Sequence, residues 1–350
     1  MNSKIKVLIT GVGGAGTLGR EIVKSYQMLP NEYDITITNS NQIDLYMNNQ
    51  LKQYLIPLAN SPNFIENLLK LCKDDGIQVI IPGSEPETEI ISKNRDLFSD
   101  NGIVALTNTH DLVKLCSDKL KLTNFLESKK ILTPKIFSYD EISETNFPEY
   151  PLLIKPIYGS GSRNVFVAED FEELSFFRKF LLKQNITPII QEFIPGIDNE
   201  FTIGLIYCNE GKLSTSIAMR RNLNGGLSTR SIINSKNNES LIISSGISQG
   251  YFDDFPEIRK KAVFISSILK SDGPLNIQCR IKDDELYIFE INPRFSGTTY
   301  SRALVGCNEP DILTKFRLMG KTPESFEYKR GYVMKDFTEK FIPENMINNK

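Results

Sequence analysis

A hairpin of two apolar strands toward the C-terminal end of the chain carries the residues best suited to chemistry. Strand-type residues at Leu275–Ile281 and Leu286–Asn292 flank Asp283-Asp284-Glu285, a combination typical of a β-hairpin. We expect these three residues to form the turn, so that Lys282 faces Leu286. This first pair sets the register of every other pair along the hairpin.

Three oxygen-bearing side chains meet at one point of this hairpin. Glu290 and Asn292 share one face of their strand, because strand side chains alternate with a period of two, and the register places Gln278 opposite Glu290. One carboxylate and two amides offer hard oxygen ligands of low total charge. Such a set suits a Mg²⁺ ion that is also bound by phosphate oxygens of a substrate. Arg294 follows at once, where a guanidinium could neutralise developing charge. The alternative is a solvent-exposed polar face, which the apolar neighbours of Glu290 disfavour.

A second segment has the composition of a phosphate-binding loop. Lys155 ends the apolar strand Leu152–Lys155, and Gly159–Arg163, rich in glycine and serine, precedes the next strand. Such a loop presents N–H groups and hydroxyls to a triphosphate, and the lysine adds a point charge. Hairpin loops often share this composition, so the segment alone does not decide. Lys119, taken alone, is interpreted as a solvated helix residue.

A third segment could hold an adenine ring. The segment Gln191–Gly196 follows a strand, and its backbone N–H and C=O groups lie between apolar side chains. Glu200 comes just before the next strand, where a carboxylate suits ribose hydroxyls. The alternative is that Glu192 and Glu200 are exposed loop acids.

A glycine turn near the N-terminus matches the pattern of a dinucleotide-binding loop. Gly11–Gly16 has the spacing G-x-G-x-x-G between a strand and a helix. A NAD site also needs an acid at the end of the second strand to bind the ribose. That strand, Tyr33–Thr38, is followed by no acid before Asp44. The sequence therefore favours a tight turn that binds no dinucleotide.

These segments belong to two different patterns of elements. Up to residue 106, apolar strands alternate with segments of helical spacing, which predicts a parallel sheet with helices on both faces. One or two helices are expected over Asp111–Lys129. From Pro151 onward strands joined by turns dominate, with a helix at Glu257–Leu269. The charged end of the chain has a core pattern only at Tyr332-Val333-Met334.

The composition narrows the classes of function. The 41 basic and 43 acidic residues nearly balance, which gives no reason to expect a nucleic acid as the main partner. The 5 cysteines are irregularly spaced and fit neither a zinc site nor a disulfide framework, so reduced thiols in a cytoplasmic protein are expected. The single histidine, His110, nearly excludes Ser-His and multi-His mechanisms. We expect neither a signal peptide nor a membrane span.

Taken together in chain order, four motifs resemble those of the ATP-grasp superfamily, specifically its carbamoyl-phosphate-synthase-like branch. The motifs are Ser117-Asp118-Lys119, Ile154-Lys155-Pro156 with Gly159–Arg163, Gln191–Gly196, and Glu290–Gly297. The turn at Gly11–Gly16 is similar to the degenerate Rossmann-like domain that precedes the grasp domain. The resemblance covers roughly residues 1–320.

The resemblance implies a mixed α/β and α+β fold. A Rossmann-like N-terminal domain is followed by an ATP-grasp fold, which has a small lid subdomain and a larger antiparallel-sheet subdomain. We expect the N-terminal domain over residues 1–108 and the lid subdomain with its linker helices over 109–189. The large subdomain with the metal site is expected over 190–325, and a C-terminal tail over 326–350.

The resemblance also implies a role for each matching residue. The residues that resemble ligands of ATP, in the order phosphates, phosphate loop, adenine hinge and ribose, are Lys119, Lys155, Ser160, Gly161, Ser162, Gln191, Glu192, Phe193, Ile194 and Glu200. Those that resemble ligands of Mg²⁺, with Mn²⁺ as an alternative, are Gln278, Glu290 and Asn292. Arg294 and Lys155 are the catalytic candidates at the transferring phosphate. Two features depart from the family pattern: Glu200 follows Gly196 at a longer spacing, and Gln278 replaces an acid, which predicts weaker binding of one metal.

Family members activate a carboxylate as an acyl phosphate, which an amine or similar nucleophile then attacks. This chemistry depends on positioning and charge neutralisation, in agreement with a sequence almost free of histidine. We therefore expect an ATP- and Mg²⁺-dependent carboxylate–amine ligase that releases ADP and phosphate. The sequence shows one grasp unit and no glutaminase domain, so the nucleophile should be a free molecule.

Other functions stay open. One alternative is other ATP-grasp chemistry, such as carboxylation or acyl-phosphate synthesis in a polysaccharide or secondary-metabolite pathway. Two further alternatives are an NAD-dependent oxidoreductase and a non-catalytic nucleotide sensor. The expected partners are small-molecule carboxylate and amine substrates, without nucleic acid or membrane, and a homodimer is left open. Arg220, Arg221 and Arg230 could meet an acidic substrate or be solvated.

Overall fold

The computed structural model describes residues 3–14, 16–148, 151–159, 161–195, 198–224, 226–234, 240–323, 328–337 and 342. Ser160 and Gly196, both expected near the nucleotide, lie outside the described residues.

The N-terminal part of the chain forms a parallel sheet with the strand order β3-β2-β1-β4-β5. Its strands are β1 (Ile5–Ile9), β2 (Tyr33–Asn39), β3 (Lys52–Leu55), β4 (Val79–Ile81) and β5 (Val104–Ala105). Its helices are α1 (Leu18–Gln27), α2 (Gln42–Tyr46), α3 (Phe64–Asp75), α4 (Glu85–Lys93) and α5 (Arg95–Asp100). The predicted alternation of strands and helices is thus confirmed for this sheet. The glycine turn directly follows β1 and therefore lies at the carboxyl ends of the strands.

Two helices, α6 (His110–Ser117) and α7 (Lys119–Ser128), connect this sheet to the rest of the chain. Asp118 separates them because its extended backbone ends α6, while its side chain accepts a hydrogen bond from the backbone N–H of Lys121 at 3.0 Å and caps α7. Lys119 therefore begins a helix rather than lying within one.

A small antiparallel sheet with the order β6-β9-β7-β8 carries the phosphate-loop segment. It consists of β6 (Ile136–Phe137), β7 (Leu152–Pro156), β8 (Phe166–Ala168) and β9 (Pro188–Glu192), with α8 (Phe171–Lys183) packed on one face. The loop between β7 and β8 contains Gly159–Arg163, as the sequence predicts.

The largest sheet has the order β16-β15-β10-β11-β14-β17 and is antiparallel. The remaining strands are β10 (Glu200–Cys208), β11 (Leu213–Arg221), β12 (Thr229–Asn234), β13 (Ser240–Ser244), β14 (Gly250–Asp253), β15 (Gly273–Lys282), β16 (Glu285–Asn292) and β17 (Gly331–Val333). Strands β12 and β13 form a separate hairpin, and the remaining helices are α9 (Pro256–Ile268), α10 (Thr299–Leu304) and α11 (Glu309–Met319).

The hairpin of β15 and β16 corrects the expected turn. Lys282 pairs with Glu285 rather than with Leu286, so the turn contains only Asp283 and Asp284. Both have positive φ, 52° and 60°, which matches the tight two-residue turn favoured between twisted strands. The expectation was wrong because it counted Glu285 as a turn residue, although acids are found in strands that face solvent.

A bulge in β16 nevertheless restores the predicted pairing near the site. The register shifts between Gln278 and Cys279, because Phe289 is an extra residue opposite them, and Gln278 then pairs with Glu290. The bulge also changes which residues face the core. Ile288 on one side of it and Ile291 on the other both pack in the same hydrophobic cluster.

Several apolar clusters hold the fold together. One joins the parallel sheet to α11 and to the far face of the large sheet, and a second lies between the large sheet, α6, α7 and α9. All five cysteines are buried and free, and burial raises the pKa of their thiols. Within the described part of the chain, no helix has the length and apolar character needed to cross a membrane.

Candidate active site

Most of the sequence-predicted ATP ligands and one predicted metal ligand, Glu290, line a pocket between the small and the large sheet, here called the inner pocket, whereas Gln278, Asn292 and Arg294 do not. Its volume is about 100 Å³. The predicted residues that line it are Lys119, Lys155, Ser162, Gln191, Glu192, Phe193, Ile194, Glu200 and Glu290. Gly161 lies beside it, against Gly246, where a Cβ on Gly246 would come within 3.0 Å of the Gly161 Cα.

Lys155 is the most buried cation of the inner pocket, with 5% of its surface exposed. Burial, with a smaller contribution from Lys119 and Arg280, lowers the pKa of its ammonium to about 7, and Glu290 partly opposes this shift. Lys119 is anchored by the loop it faces, because its Nζ donates to the Gly159 carbonyl at 2.5 Å. The amino groups of two lysines, Lys119 from α7 and Lys155 from β7, thus line the same pocket, which suits the binding of a polyanion.

The segment after β9 supplies the apolar wall of the pocket. Phe193 and Ile194 are buried, and the Arg280 guanidinium stacks over the Phe193 ring at 5.1 Å from its centroid. The Gln191 amide donates to the Pro134 carbonyl at 3.1 Å, and Glu192 forms an ion pair with Lys282 at 2.6 Å. Glu192 is therefore not the exposed loop acid of the alternative interpretation.

Glu200 lies at the centre of a buried cluster of charges. Its Oε1 accepts a hydrogen bond from Arg221 Nη1 at 2.6 Å, and its Oε2 accepts from Arg280 Nη2 at 2.7 Å. Burial alone would raise the pKa of Glu200, but the two guanidinium groups outweigh it and hold the pKa below its ordinary value. Because both oxygens already have partners, Glu200 serves to position the two arginines, and its expected contact with ribose stays a prediction.

The two arginines of this cluster tie separate segments together. Arg280 also donates to the Ile194 and Ile242 carbonyls, and Arg221 donates to the Ser245 and Ile247 carbonyls at 2.9 Å each. Arg221 is 2% exposed, which excludes the solvated state that the sequence left open for it. Arg230 is exposed, and Arg220 lies over the Tyr251 ring on the opposite face of β11.

The candidate metal ligands lie together on the hairpin. Gln278 pairs directly with Glu290, and the Asn292 Nδ2 donates to Glu290 Oε1 at 3.2 Å. Among the described residues no group of three or more His, Cys, Asp or Glu side chains could hold a metal ion. One carboxylate with two amides fits Mg²⁺ only when other oxygens complete its coordination, and a triphosphate in the inner pocket is the natural source of them.

Arg294 connects the hairpin to the N-terminal sheet. Its Nη1 donates to the Phe295 carbonyl at 2.8 Å, and its Nη2 donates to Glu85 Oε1 at 2.8 Å. Glu85 is the first residue of α4, so the N-terminal part of the chain contributes a side chain beside the candidate metal ligands.

Arg294 lines a second cavity of about 500 Å³, here called the interdomain cleft. One wall comes from α4, another from α6 and α7, and the floor from Glu290–Arg294. Lys119, Gly159 and Glu290 line both the cleft and the inner pocket, so the two cavities meet at these residues. His110 lines neither cavity.

The glycine turn is filled from inside the protein. A Cβ on Gly11, whose φ is 59°, would come within 2.2 Å of Glu87 Oε2, so the Glu87 carboxylate lies against the backbone of the turn. Asn39, at the end of β2, donates from its Nδ2 to the Val12 carbonyl at 2.9 Å. The place expected for a pyrophosphate thus holds a carboxylate, and the place for a ribose-binding acid holds an amide.

Some site residues were absent from the sequence-based prediction. Arg280 could have been found, because it follows Gln278 by two residues and must share its face of β15. Glu85 could not, because its partner Arg294 lies far away in the sequence and only the tertiary fold brings the two together.

Comparison with known proteins defines the class. Residues 116–298 match the ATP-grasp domain, and residues 7–106 match the PylC-like N-terminal domain. The chain therefore belongs to the ATP-grasp family, a family of ATP-dependent ligases.

The individual relatives are distant. The carbamoyl phosphate synthase large chain of Clostridium beijerinckii is 27% identical over 309 residues, which cover 86% of this chain and 27% of that protein. The chain thus spans about a quarter of the length of the curated relatives it matches.

Two solved structures show the shared fold. The L-amino acid ligase from Bacillus licheniformis has a TM-score of 0.64 at 15% identity, covering 91% of this chain and 75% of that chain. The biotin carboxylase domain dimer of the Hydrogenobacter thermophilus 2-oxoglutarate carboxylase, in complex with MgADP, ADP and bicarbonate, has a TM-score of 0.63 at 15% identity, covering 93% and 73%.

Proposed function

We propose that this protein is an ATP- and Mg²⁺-dependent ligase that activates a carboxylate as an acyl phosphate for attack by an amine. The observation that carries the proposal is that Glu290 lines both the inner pocket and the interdomain cleft. A nucleotide in the inner pocket and a small molecule in the cleft would meet at this residue. The cleft volume, about 500 Å³, is in the range of small-molecule sites, whereas the inner pocket, at about 100 Å³, lies below that range and has to widen to admit a nucleotide.

The inner pocket supports ATP as the nucleotide. Lys155 and Lys119 would neutralise phosphate charge, and the Phe193 and Ile194 wall would cover the adenine. Gln278, Glu290 and Asn292 would hold Mg²⁺, or Mn²⁺ in its place, which would supply charge neutralisation at the β- and γ-phosphates when bound. The solved structure with MgADP and bicarbonate supports this assignment through the shared fold.

The reaction needs positioning more than proton transfer. A carboxylate oxygen attacks the γ-phosphorus, the bond to the bridging oxygen breaks, and ADP leaves. An amine then attacks the acyl carbon, phosphate leaves, and the amine gives up a proton to water. Arg294 would hold the substrate carboxylate and the transferring phosphate, while Lys155 would stabilise the charge that develops on the phosphate oxygens.

The assembly and the domain limits stay predictions. The parallel sheet occupies residues 5–105, the small sheet 136–192 and the large sheet 200–333. These bounds support a division near 108, but they place residues 190–192 in the small sheet rather than in the expected large subdomain, and β17 of the expected tail in the large sheet. A homodimer is proposed only by similarity to the dimeric biotin carboxylase domain.

The experiment that tests the function compares two variants that each lose one negative charge. Glu290→Gln should lower ADP release by about 10²–10³ or more, because the amide has the same shape but cannot neutralise the metal. Asp283→Asn is the matched control, since Asp283 lies in the turn at positive φ, where asparagine is well tolerated. Melting curves would show that both variants are folded.

The assay is a screen of carboxylate and amine pairs for ADP release. Near-normal turnover of Glu290→Gln would overturn the metal assignment. ADP release with bicarbonate and no amine would instead favour carboxylation. Tight ATP binding without ADP release across the screen would favour the nucleotide sensor.

A further inference from the structure

Arg294 already holds a carboxylate in this structure. Its Nη2 is 2.8 Å from Glu85 Oε1, while its Nη1 is fixed by the Phe295 carbonyl at 2.8 Å. Only part of the guanidinium fork therefore faces the interdomain cleft, and Glu85 occupies that part. One nitrogen of the guanidinium thus makes a charge-assisted hydrogen bond to a carboxylate, which is stronger than a hydrogen bond between neutral groups.

The ion pair of Arg294 and Glu85 is not buried in the core of the protein. The Glu85 side chain is 41% exposed and that of Arg294 is 16% exposed, so water reaches both groups. The start of α4 has its own cap, because the Ser84 side chain accepts from the Glu87 backbone N–H. Helix α4 can therefore keep its N-terminus when Glu85 leaves Arg294.

The position of the pair is also the position a substrate would need. Arg294 follows Asn292 by two residues and lines the cleft together with Glu290, which in turn borders the inner pocket. A carboxylate on Arg294 would lie between the proposed metal ligands and the N-terminal sheet. Glu85 is thus a resident carboxylate at the place where the proposed chemistry requires a substrate carboxylate.

We propose that Glu85 is a specificity-determining residue of the acceptor site, and that a carboxylate substrate binds by exchanging with Glu85 on Arg294. This inference rests on the proposed function, since it names how that function selects its first substrate. Exchange of one carboxylate for another keeps the charge of Arg294 balanced throughout. It also disfavours neutral molecules, which cannot replace the ionic contact that they would break.

The exchange predicts that Glu85 competes with its own substrate. When an internal group closes a site part of the time, the apparent affinity equals the intrinsic affinity multiplied by the fraction of molecules in which the site is open. A partly exposed ion pair closes such a site only modestly. Glu85→Gln should therefore bind a carboxylate about two- to five-fold more tightly than the wild type.

The test uses acetate as the probe, because it is the simplest carboxylate. Isotope-labelled acetate is titrated at constant ionic strength into the full-length protein with MgADP and followed by NMR. Glu89→Gln is the matched control, since Glu89 lies one turn along α4 on the same wall of the cleft but is not paired with Arg294. Arg294→Met, alone or combined with Glu85→Gln, should remove acetate binding.

The outcomes separate this inference from the proposed function. Tighter acetate binding in Glu85→Gln alone supports the exchange. Equal affinity in Glu85→Gln and wild type, an equal gain in Glu89→Gln, or acetate binding that survives Arg294→Met overturns it. Failure of the ligase function is seen separately, as the absence of ADP release from the wild type with every carboxylate and amine pair.

Discussion

At the scale of single residues, Lys155 has the property with the clearest effect in solution. Burial lowers the pKa of its ammonium to about 7, so the free protein holds a largely neutral amine above that pH. Phosphate oxygens favour the charged form. ATP binding should therefore take up a proton in the window between about pH 7 and the ordinary lysine pKa of about 10.5, and ATP affinity should fall as the pH rises through that window.

Calorimetry measures this proton uptake directly. ATP is titrated at about pH 8 in two buffers that differ in their heat of ionisation, and uptake approaching one proton should appear as a difference in heat. Lys155→Arg stays charged at this pH, so its heats should agree between the buffers. Equal heats in the wild type would contradict the lowered pKa.

Single residues were predictable from the sequence when their chemistry depended on neighbours along the chain. Glu290 and Asn292 were placed on one face by the period of a strand alone. The hairpin register that pairs Phe201 with Arg220 also places Glu200 opposite Arg221, but the burial of Arg221 was not predictable, because it depends on the segments that pack over this pair. The same holds for Glu85, which only the packing of α4 brings to Arg294.

At the scale of elements, the C-terminal strand β17 has a larger part than its charged sequence suggests. Two residues beyond it, Lys335 donates from its Nζ to the Gly297 carbonyl and lies 3.2 Å from Glu21 Oε2. The side chains are 10% and 5% exposed. One lysine thus connects the strand, the loop after Arg294 and helix α1.

We expect Lys335→Met to lower the free energy of unfolding by about 3 kcal/mol, because it leaves the Glu21 carboxylate buried without its cation. Urea denaturation followed by circular dichroism measures the loss. Adding Glu21→Gln to the same chain removes the unpaired charge and should recover most of it. A double variant as unstable as Lys335→Met would show that the ion pair is not the source of the stability.

The hairpin shows why elements are easier to predict than their registers. Both strands were expected close to their observed bounds, because apolar runs beside a polar turn identify them. The turn was one residue too long in the prediction, since the sequence does not distinguish a solvent-facing strand acid at Glu285 from a turn acid. The pairing of Gln278 with Glu290 is confirmed only because the bulge at Phe289 compensates for that error.

At the scale of the whole molecule, the N-terminal sheet keeps the form of a nucleotide-binding domain but fills its loop from within. The Glu87 carboxylate accepts from Ser84 Oγ at 2.7 Å and lies against Gly11, where a dinucleotide phosphate would need to approach. Burial raises the pKa of Glu87, while hydrogen bonds from Ser84 and its neighbours oppose that rise.

We therefore expect neither NAD nor NADP to bind. Calorimetric titration with each dinucleotide should give no heat beyond dilution, whereas ATP serves as the positive control in the same cell. Micromolar affinity for either dinucleotide would restore the oxidoreductase interpretation. The variant Glu87→Ala removes the carboxylate from the glycine turn. A change in dinucleotide affinity in this variant would then show that binding occurs at the turn.

Because Phe289 is an extra residue in β16, the numbering of the core-facing side chains changes from even to odd along the strand. Between the turn and Phe289 the even-numbered side chains of Leu286 and Ile288 face the core, and beyond Phe289 the odd-numbered Ile291 does. A chain without Phe289 would alternate regularly, with Leu286, Ile288 and Ile291 on the core face and Glu290 and Asn292 on the other, so the same side chains would reach the same faces from a sequence one residue shorter. A distant homologue that lacks the bulge and is aligned here without a gap would therefore have its metal ligands assigned to the wrong positions, so the bulge must be located before site residues are transferred between sequences.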